Sequence, residues 1–464
     1  MPSGQELISL SLSEASELIR NKKVSPVELT RACLERTEQA DPELGAFITV
    51  TADLALEQAQ TAEAEIHRSS YRGPLHGIPI ALKDLLDTAG VRTTAGSAVF
   101  ADRVPAEDCE VARRLKAAGA VLVGKTNLHE FAYGGSGVIG HFGPVRNPWD
   151  RERITGGSSS GSAAAVAAGM CFAAIGSDTS GSIRLPAAYC GIVGIKPTYG
   201  LVPLRGVIPL SWSYDHVGPM ARSVRDTALV LREIAGYDRR DISSHRFSAE
   251  DFAAALERPP EPMRIGLARQ MFFDDLDPEI KRAVDAAILP LQQFGELREV
   301  AVPVERDRTV FAAEAFAYHA EMVARSPELY DPETLRRIRS GAEITAAAYI
   351  RKRQELDELR RRAPEIFKEV DVVVTPTTPI PPPKVDDLVG DRSQLRPQEL
   401  LMLRNTRPFN SLGLPAVSVP CGFTRDGLPV GMQVAGPLAG EATVLRLAHF
   451  YEQTAPWSVR RRPR

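Results

Sequence analysis

The amino-acid sequence predicts an α/β fold in which helices cover both faces of a central mixed β-sheet. Short apolar runs bounded by Gly, Pro or Asp have the length and composition of buried strands. Stretches with helical periodicity alternate with these runs along the chain. The length of 464 residues would allow two or three domains. Because α/β folds of this size often close around one sheet, we expect a single domain over 1–464.

The first predicted elements are helices that extend to about Arg68. Ser25-Pro26-Val27-Glu28 has the pattern of a capping box with proline at the first helical position. The helix that it opens shows a 3.6-residue period at Leu29, Ala32, Cys33 and Arg36. We expect the N-terminal helices, about 1–68, to pack on the outside of the core.

The core elements follow as alternating strands and helices. Strands are predicted at Ile78 to Leu82, Ala120 to Val123, Phe172 to Ile175, Val372 to Val374 and Ala416 to Val419. Helices are predicted at Cys109 to Ala118, Ala163 to Ala168 and Val224 to Ile234. The segment from about 237 to 368 is highly charged and is predicted to be mainly helical, with its arginines on a solvated face. We expect this variable segment and the proline-rich loop at 379–396 to shape the substrate pocket.

The charge balance, the cysteine pattern and the apolar runs indicate which classes of protein the chain can belong to. The 56 basic and 59 acidic residues nearly balance, so no basic surface for nucleic acid is expected. The five cysteines are scattered without a CxxC pair, which favours free thiols in a reducing compartment and argues against a metal site. No apolar run is long enough for a secretory h-region or a membrane span. We therefore expect a cytoplasmic protein without a cofactor.

A run of glycine and serine, residues 156–162, is the candidate active site. It leads directly into the apolar helix former Ala163 to Ala168, whereas a flexible linker would continue with polar residues. A phosphate-binding loop would need lysine after the second glycine, where Ser162 stands. A nucleophile elbow, G-x-S-x-G, fits Gly157, Ser159 and Gly161. It would need a histidine from His216, His245, His319 or His449, and spacing alone leaves that hypothesis open.

A third interpretation of the Gly/Ser run rests on motifs from several parts of the chain. An apolar run, 77–82, ends in Lys83, and the segment 176–184 reads Gly-Ser-Asp-Thr-Ser-Gly-Ser-Ile-Arg. Together with Gly156-Gly157-Ser158-Ser159, these segments resemble the amidase signature family. Further segments of similarity are 124–127, 142–149, 194–200, 215–220 and 413–420. The resemblance extends from about Ser13 to about Thr443 and implies the amidase signature fold.

The resemblance implies a catalytic set of Lys83, Ser158 and Ser182, with Ser182 as nucleophile and Ser158 as proton relay. A serine hydroxyl needs a base, and lysine can be that base only when burial keeps it neutral. The N–H groups of Thr179, Ser180, Gly181 and Ser182 could form an oxyanion hole. Asp178 and Arg184 are interpreted as a structural pair, and Asp84 as a solvated or capping carboxylate.

Some residues depart from the commonest family pattern. Ser180 stands where a second glycine is usual, so a backbone angle forbidden to serine would disturb the oxyanion hole. His129 stands where the glutaminyl-tRNA amidotransferase member of the family usually has aspartate. Tyr133 is a candidate substrate contact in a segment that also differs from that member.

The sequence therefore predicts an amidase that forms a Ser182 acyl-enzyme from a small-molecule amide, with esters or carbamates as secondary substrates. One alternative is the A-type chain of the amidotransferase, which would work with partner subunits. Another is a non-catalytic scaffold that retains the fold. The sequence leaves open which amide is cleaved and whether the chain forms a homo-oligomer.

Overall fold

The fold is known from a computed structural model that describes residues 3–248, 250–258 and 261–454. The strands within these ranges are β1 (Phe47–Val50), β2 (Pro79–Lys83), β3 (Val121–Thr126), β4 (Arg146–Asn147), β5 (Asp150–Ile154), β6 (Ala173–Ser177), β7 (Val193–Lys196), β8 (Val217–Ala221), β9 (Met263–Leu267), β10 (Gly295–Glu299), β11 (Val372–Pro376), β12 (Ala416–Phe423) and β13 (Pro429–Ala435). The α-helices are α1 (Gly4–Ser9), α2 (Leu12–Arg20), α3 (Pro26–Leu44), α4 (Ala52–His67), α5 (Glu110–Ala117), α6 (Ser160–Ala167), α7 (Arg184–Cys190), α8 (Val224–Ile234), α9 (Phe252–Ala255), α10 (Pro278–Ile288), α11 (Thr309–Arg325), α12 (Pro332–Arg339), α13 (Ala346–Arg362), α14 (Val385–Gly390), α15 (Arg392–Met402), α16 (Arg407–Ser411) and α17 (Glu441–Thr454).

Eleven of the described strands form one mixed sheet in the order β1-β3-β2-β6-β8-β7-β12-β13-β11-β9-β10. Strands β3, β2 and β6 run parallel at one side, as do β11, β9 and β10 at the other. Antiparallel pairs β6–β8, β8–β7, β7–β12, β12–β13 and β13–β11 join the two sides. The short β4–β5 pair lies outside this sheet.

Helices cover both faces of the sheet, as the sequence predicts. Side chains of a strand alternate between its two faces, and in β2 Ile80 and Leu82 join one apolar cluster while Ala81 joins another. The first cluster also contains residues of α8 and α17, and the second contains residues of α6 and α7. The predicted mixed α/β architecture is therefore confirmed.

The predicted start of α3 is also confirmed. Ser25 Oγ accepts hydrogen bonds from the N–H groups of Val27 and Glu28 at 3.0 and 3.4 Å. The Glu28 carboxylate in turn accepts from Ser25 N at 3.2 Å. This reciprocal pair satisfies N–H groups that the first turn of a helix leaves without partners.

Two segments differ from the predicted elements. Strand β1 interrupts the N-terminal helices and pairs antiparallel with β3 at an edge of the sheet. Strands β9 and β10 lie within the segment 237–368, for which the sequence predicts mainly helix. Strand β10, Gly-Glu-Leu-Arg-Glu, is charged because it is the other edge strand, and charge on an edge discourages pairing with further chains.

Candidate active site

Lys83 is the last residue of β2 and lies at the edge of the sheet where parallel strands end together. Ser177 ends the neighbouring parallel strand β6, so the two side chains meet. Lys83 Nζ lies 2.7 Å from Ser158 Oγ, 3.0 Å from Ser159 Oγ and 2.8 Å from Ser177 Oγ. The side chain is fully buried. Burial lowers the pKa of Lys83 well below its usual value, although Asp178 and Asp215 act in the opposite direction.

Ser158 lies in the loop between β5 and α6, and the Gly157–Ser158 peptide bond is cis. The backbone of this loop is fixed from one side by the segment 129–137. Gly157 N donates to Gly135 O at 2.8 Å, and His129 N donates to Ser158 O at 3.2 Å. Both hydrogen bonds hold the Ser158 hydroxyl beside Lys83.

Ser159, the candidate nucleophile of the elbow hypothesis, forms hydrogen bonds with both Lys83 and the backbone of Ser177. Its Oγ donates to Ser177 O at 3.0 Å and accepts from Ser177 N at 3.2 Å as well as from Lys83. Within the described ranges no histidine side chain contacts this hydroxyl. The elbow therefore lacks its base in this structure.

Ser182 belongs to the loop between β6 and α7 and is 4% exposed. Ser159 N donates to Ser182 O at 3.2 Å, which brings the two serine loops together. Across the part of the chain that the structure describes, the Ser182 hydroxyl has no hydrogen-bond partner. Its lone pairs are consequently available to an incoming group.

The four candidate oxyanion donors are not equivalent. Gly181 N already donates to Asp178 Oδ1 at 2.7 Å. The N–H groups of Thr179, Ser180 and Ser182 have no acceptor among the described residues. Gly181 has φ +138°, whereas Ser180 is not among the residues with positive φ, so the serine at that position is not strained.

A buried ion pair anchors this loop. Arg184 and Asp178 are fully buried and lie 3.0 Å apart, as the interpretation of a structural pair requires. Arg184 Nη1 also donates to Thr406 O at 2.9 Å and to Gln433 Oε1 at 2.7 Å, and Nη2 donates to Asn410 Oδ1 at 2.5 Å. The loop between β6 and α7, which contains Ser182, is therefore tied to residues far along the chain.

Asp84 is not solvated, and that interpretation is wrong. It is fully buried and lies 3.3 Å from Lys125 Nζ, while Thr94 donates to its Oδ2 from both N and Oγ1, at 2.8 and 2.5 Å. Lys125 is the compensating charge, and nothing in its local sequence, Gly-Lys-Thr-Asn, identifies it as a partner. Asp84, which follows Lys83 in the chain, forms a buried pair with Lys125.

The amidase family model matches residues 28–445. The chain belongs to the amidase family. As a member of this family it is an enzyme that acts on amide carbon–nitrogen bonds.

Relatives within the amidase family cover nearly the whole chain. The A-type chain of the glutamyl-tRNA(Gln) amidotransferase from Geobacter sp. (strain M21) is 40% identical over 488 aligned residues, which include 99% of this chain and 100% of the relative. The structure of the corresponding chain from Thermotoga maritima has a TM-score of 0.80 and 33% identity, over 97% of this chain and 96% of the other. A peptide amidase from Stenotrophomonas maltophilia has a TM-score of 0.84 and 32% identity, with 98% of each chain covered.

His129 and Tyr133 belong to the segment 129–137, which lies next to the Ser158 loop. His129 is buried, its Nδ1 accepts from Gly137 N at 3.3 Å, and burial lowers its pKa to about 4. Tyr133 is 3% exposed, and its hydroxyl donates to Arg337 O at 3.4 Å. The centroid of its ring lies 5.2 Å from that of the Phe311 ring.

The described chain was also searched for paired cysteines, metal-binding clusters and membrane-spanning helices. The five cysteines are buried and unpaired, as expected for free thiols. Within the described residues there is no group of three or more His, Cys, Asp or Glu side chains arranged to hold a metal ion. No described helix is both long and apolar enough to cross a bilayer.

Proposed function

We propose that the chain hydrolyses a carboxylic amide through a Ser182 acyl-enzyme, with Lys83 as base and Ser158 as relay. The observation that carries the proposal is the fully buried Lys83 Nζ, 2.7 Å from Ser158 Oγ. A neutral amine has two N–H donors and one lone pair. Because Ser159 already donates to Ser177 O, it accepts from Lys83, and the lone pair is left for another serine hydroxyl.

In the proposed steps, the Ser182 hydroxyl, which has no partner among the described residues, donates to Ser158 Oγ once substrate is bound. Lys83 takes the Ser158 proton as Ser158 takes the proton of Ser182, and Ser182 Oγ attacks the amide carbonyl carbon. The N–H groups of Thr179, Ser180 and Ser182 stabilise the resulting oxyanion. The C–N bond breaks as the leaving nitrogen receives a proton from Ser158, which Lys83 replenishes. Water then attacks the acyl ester through the same relay and releases the carboxylic acid.

The names of the relatives favour one physiological role for this chemistry. Eight relatives in sequence, among many, are A-type chains of the glutamyl-tRNA(Gln) amidotransferase, 38–41% identical and aligned with 95–99% of this chain. In that role the chain would release ammonia from an amide donor inside a complex with partner subunits. The peptide amidase, whose structure is at least as similar, supports the stand-alone amidase as the second candidate.

The experiment that tests the proposed chemistry uses the purified chain, first alone and then with B-type and C-type partner subunits. Aliphatic amides, aryl amides, glutamine, carbamates and esters are assayed for ammonia or amine release. Turnover by the chain alone supports the stand-alone amidase, and turnover of glutamine only with partners supports the amidotransferase role. A scaffold would hydrolyse nothing in either setting.

A fluorophosphonate probe identifies the nucleophile. We expect label on Ser182, found by peptide mass spectrometry, and Ser182→Ala should lower turnover by several orders of magnitude, up to about 10⁶-fold. Ser180→Ala, two residues away in the same loop, is the matched control, because it removes a hydroxyl but keeps the backbone N–H, and it should retain activity. Label on Ser159 would contradict the proposed mechanism.

A further inference from the structure

Asp215 is a buried carboxylate that lies just before β8 and that the proposed reaction steps do not use. It is 7% exposed, and within the described ranges no lysine or arginine forms an ion pair with it. Its oxygens accept three hydrogen bonds instead. Oδ1 accepts from Thr179 Oγ1 at 2.6 Å, and Oδ2 accepts from the N–H groups of Leu210 and Ser211 at 2.9 and 3.0 Å. Three donors aimed at one carboxylate favour its ionised form.

The turn that carries Asp215 is itself anchored to two helices. Glu314 of α11 is 1% exposed and accepts from Ser211 Oγ at 2.6 Å and from Ser213 N at 3.0 Å. Tyr349 of α13 donates to the other oxygen of Glu314 at 2.9 Å. Asp215 N closes the turn by donating to Ser211 O at 2.9 Å. Asp215 is therefore a fixed point beside the loop that contains Ser182.

The same segment fixes the peptide group between Asp178 and Thr179. Asp178 N donates to His216 O at 2.8 Å, and His216 N donates to Asp178 O at 3.1 Å. Asn410 Nδ2 donates to the same Asp178 oxygen at 3.0 Å. In a planar trans peptide group the C=O and N–H bonds point in opposite directions. The Thr179 N–H group therefore points away from these partners, and it has no acceptor among the described residues.

The Thr179 side chain adds a second restraint on that N–H group. Thr179 is 3% exposed, and its hydrogen bond to Asp215 has the short length of a bond to an ionised acceptor. Holding the hydroxyl limits rotation of the residue that carries the N–H group. Asp215 and Asp178 are also the carboxylates that oppose the lowering of the pKa of Lys83, so Asp215 lies within electrostatic reach of the candidate base.

We propose that Asp215 is a positioning residue, which through the Thr179 hydroxyl aims the Thr179 N–H group at the oxyanion formed when Ser182 attacks. This inference rests on the proposed function and adds to it a residue that touches neither the substrate nor the nucleophile. A donor that is already aimed stabilises developing charge, because it does not have to reorient during the reaction. Loss of the contact between Asp215 and Thr179 should therefore slow reaction at Ser182 in a protein that still folds.

The test measures the second-order rate constant with which a fluorophosphonate probe labels Ser182, so that no substrate has to be known. The phosphonyl oxygen gains negative charge as the serine attacks, as an amide oxygen would. Thr179→Val removes the hydroxyl but keeps the shape and the N–H group, and it should slow labelling roughly ten- to a hundredfold. Thr179→Ser restores the hydroxyl and should label within about threefold of the wild-type rate. Burial raises the pKa of Asp215 to about 7, so the assay is run at about pH 8.5, where Asp215 is ionised.

A double-mutant cycle tests whether Asp215 acts through Thr179. Asp215→Asn replaces one acceptor oxygen by an amide donor and should slow labelling by a factor similar to that of Thr179→Val. Because both variants break the same hydrogen bond, the double variant should be slower than the slower single variant by no more than about threefold. Effects that multiply would overturn the inference.

Thr37→Val is the matched control. Thr37 is 4% exposed, and its Oγ1 donates to Cys33 O at 2.8 Å within α3, a helix that supplies no candidate catalytic residue. This variant should label at the wild-type rate, and thermal midpoints show which variants fold. If Thr179→Val does not fold, the comparison of Asp215→Asn with Thr37→Val decides the same question.

Two outcomes separate this inference from the proposed reaction. Labelling of Ser182 at equal rates in Thr179→Val and Thr37→Val would overturn the role of Asp215 and leave the reaction standing. A folded wild type that the probe does not label at Ser182 would overturn the reaction, and this inference with it.

Discussion

At the scale of single residues, the proposed role of Lys83 as a base depends on where its strand ends. A lysine in water is a cation and cannot accept a proton, but this side chain is fully buried among serine hydroxyls. The nearby carboxylates partly offset the lowering of its pKa, so the base strength of Lys83 is set by the balance of burial and negative charge.

Replacing Lys83 by arginine tests whether a removable proton is required. Arginine has about the same length but stays protonated, so Lys83→Arg should be as damaging to amide hydrolysis as Lys83→Ala, by about 10³-fold or more. Ester hydrolysis should suffer less, because an alkoxide leaves more readily than an amine without protonation. Near-wild-type amide turnover by Lys83→Arg, measured as kcat/KM, would refute the role of Lys83 as base.

The pH profile of kcat/KM should show one rising limb assigned to Lys83. Below its pKa the lysine is protonated and inactive, and above it the neutral amine is active, so activity falls as pH falls. Because burial lowers the pKa of Lys83, the limb should lie well below pH 10.5. The rate of fluorophosphonate labelling of Ser182 should follow the same limb, since the same base activates it. A labelling rate that rises toward acid would contradict the assignment.

At the scale of elements, one glycine shapes the loop between β6 and α7 that contains Ser182. A Cβ placed on Gly181 would lie 2.0 Å from Thr406 Oγ1 and 2.9 Å from Leu403 Cδ2, at φ +138°. Any side chain there must displace either the loop or the residues between α15 and α16. The loop conformation and the packing of these helices are therefore coupled.

Gly181→Ala should lower kcat by about 100-fold or more, because a displacement of about 1 Å spoils the geometry of attack. Its free energy of unfolding should also fall, by about 1–3 kcal/mol from backbone strain alone. Ser180→Ala, with no positive φ, should leave both quantities close to wild type. Equal kinetics of the two variants would show that the loop tolerates the change.

Asp178→Asn tests the anchor of the same loop. It would leave the buried Arg184 guanidinium without its ionised partner, so the free energy of unfolding should fall by about 3–5 kcal/mol. Chemical denaturation of the variant and the wild type measures this difference. An unchanged midpoint would mean that Asn410 and Gln433 suffice to hold Arg184.

Elements with strong apolar periodicity can be predicted from the sequence, and those made by tertiary contacts cannot. Helix α8 has the predicted bounds, and β2 and β6 are within one or two residues of theirs. Strand β8, Val-Gly-Pro-Met-Ala, lacks strand propensity, and it forms because Gly218 lets it approach Ile195 O. In the candidate site, motifs single out Lys83 and Ser158, which the structure brings together, whereas the Asp84–Lys125 pair depends on strand neighbours that local sequence does not specify.

At the scale of the whole molecule, many ionisable groups are buried in their neutral forms. Burial lowers the pKa of His129 to about 4 and of His319 to about 3, and that of His216 well below its usual value. It raises the pKa of Glu130 and Asp215 to about 7. These groups make stability depend on pH in opposite directions.

The anchoring of Arg184 has a consequence for biosynthesis. The groups that hold its guanidinium come from Thr406, Asn410 and Gln433, and Thr406 Oγ1 also donates to Ser180 O at 2.7 Å. While the ribosome is still making this late segment, the nascent polypeptide already carries Ser158 and Ser182 but not the residues that set the Ser182 loop. If the proposed mechanism holds, amide cleavage should begin only after the ribosome has passed Gln433, so an incomplete chain should be inactive.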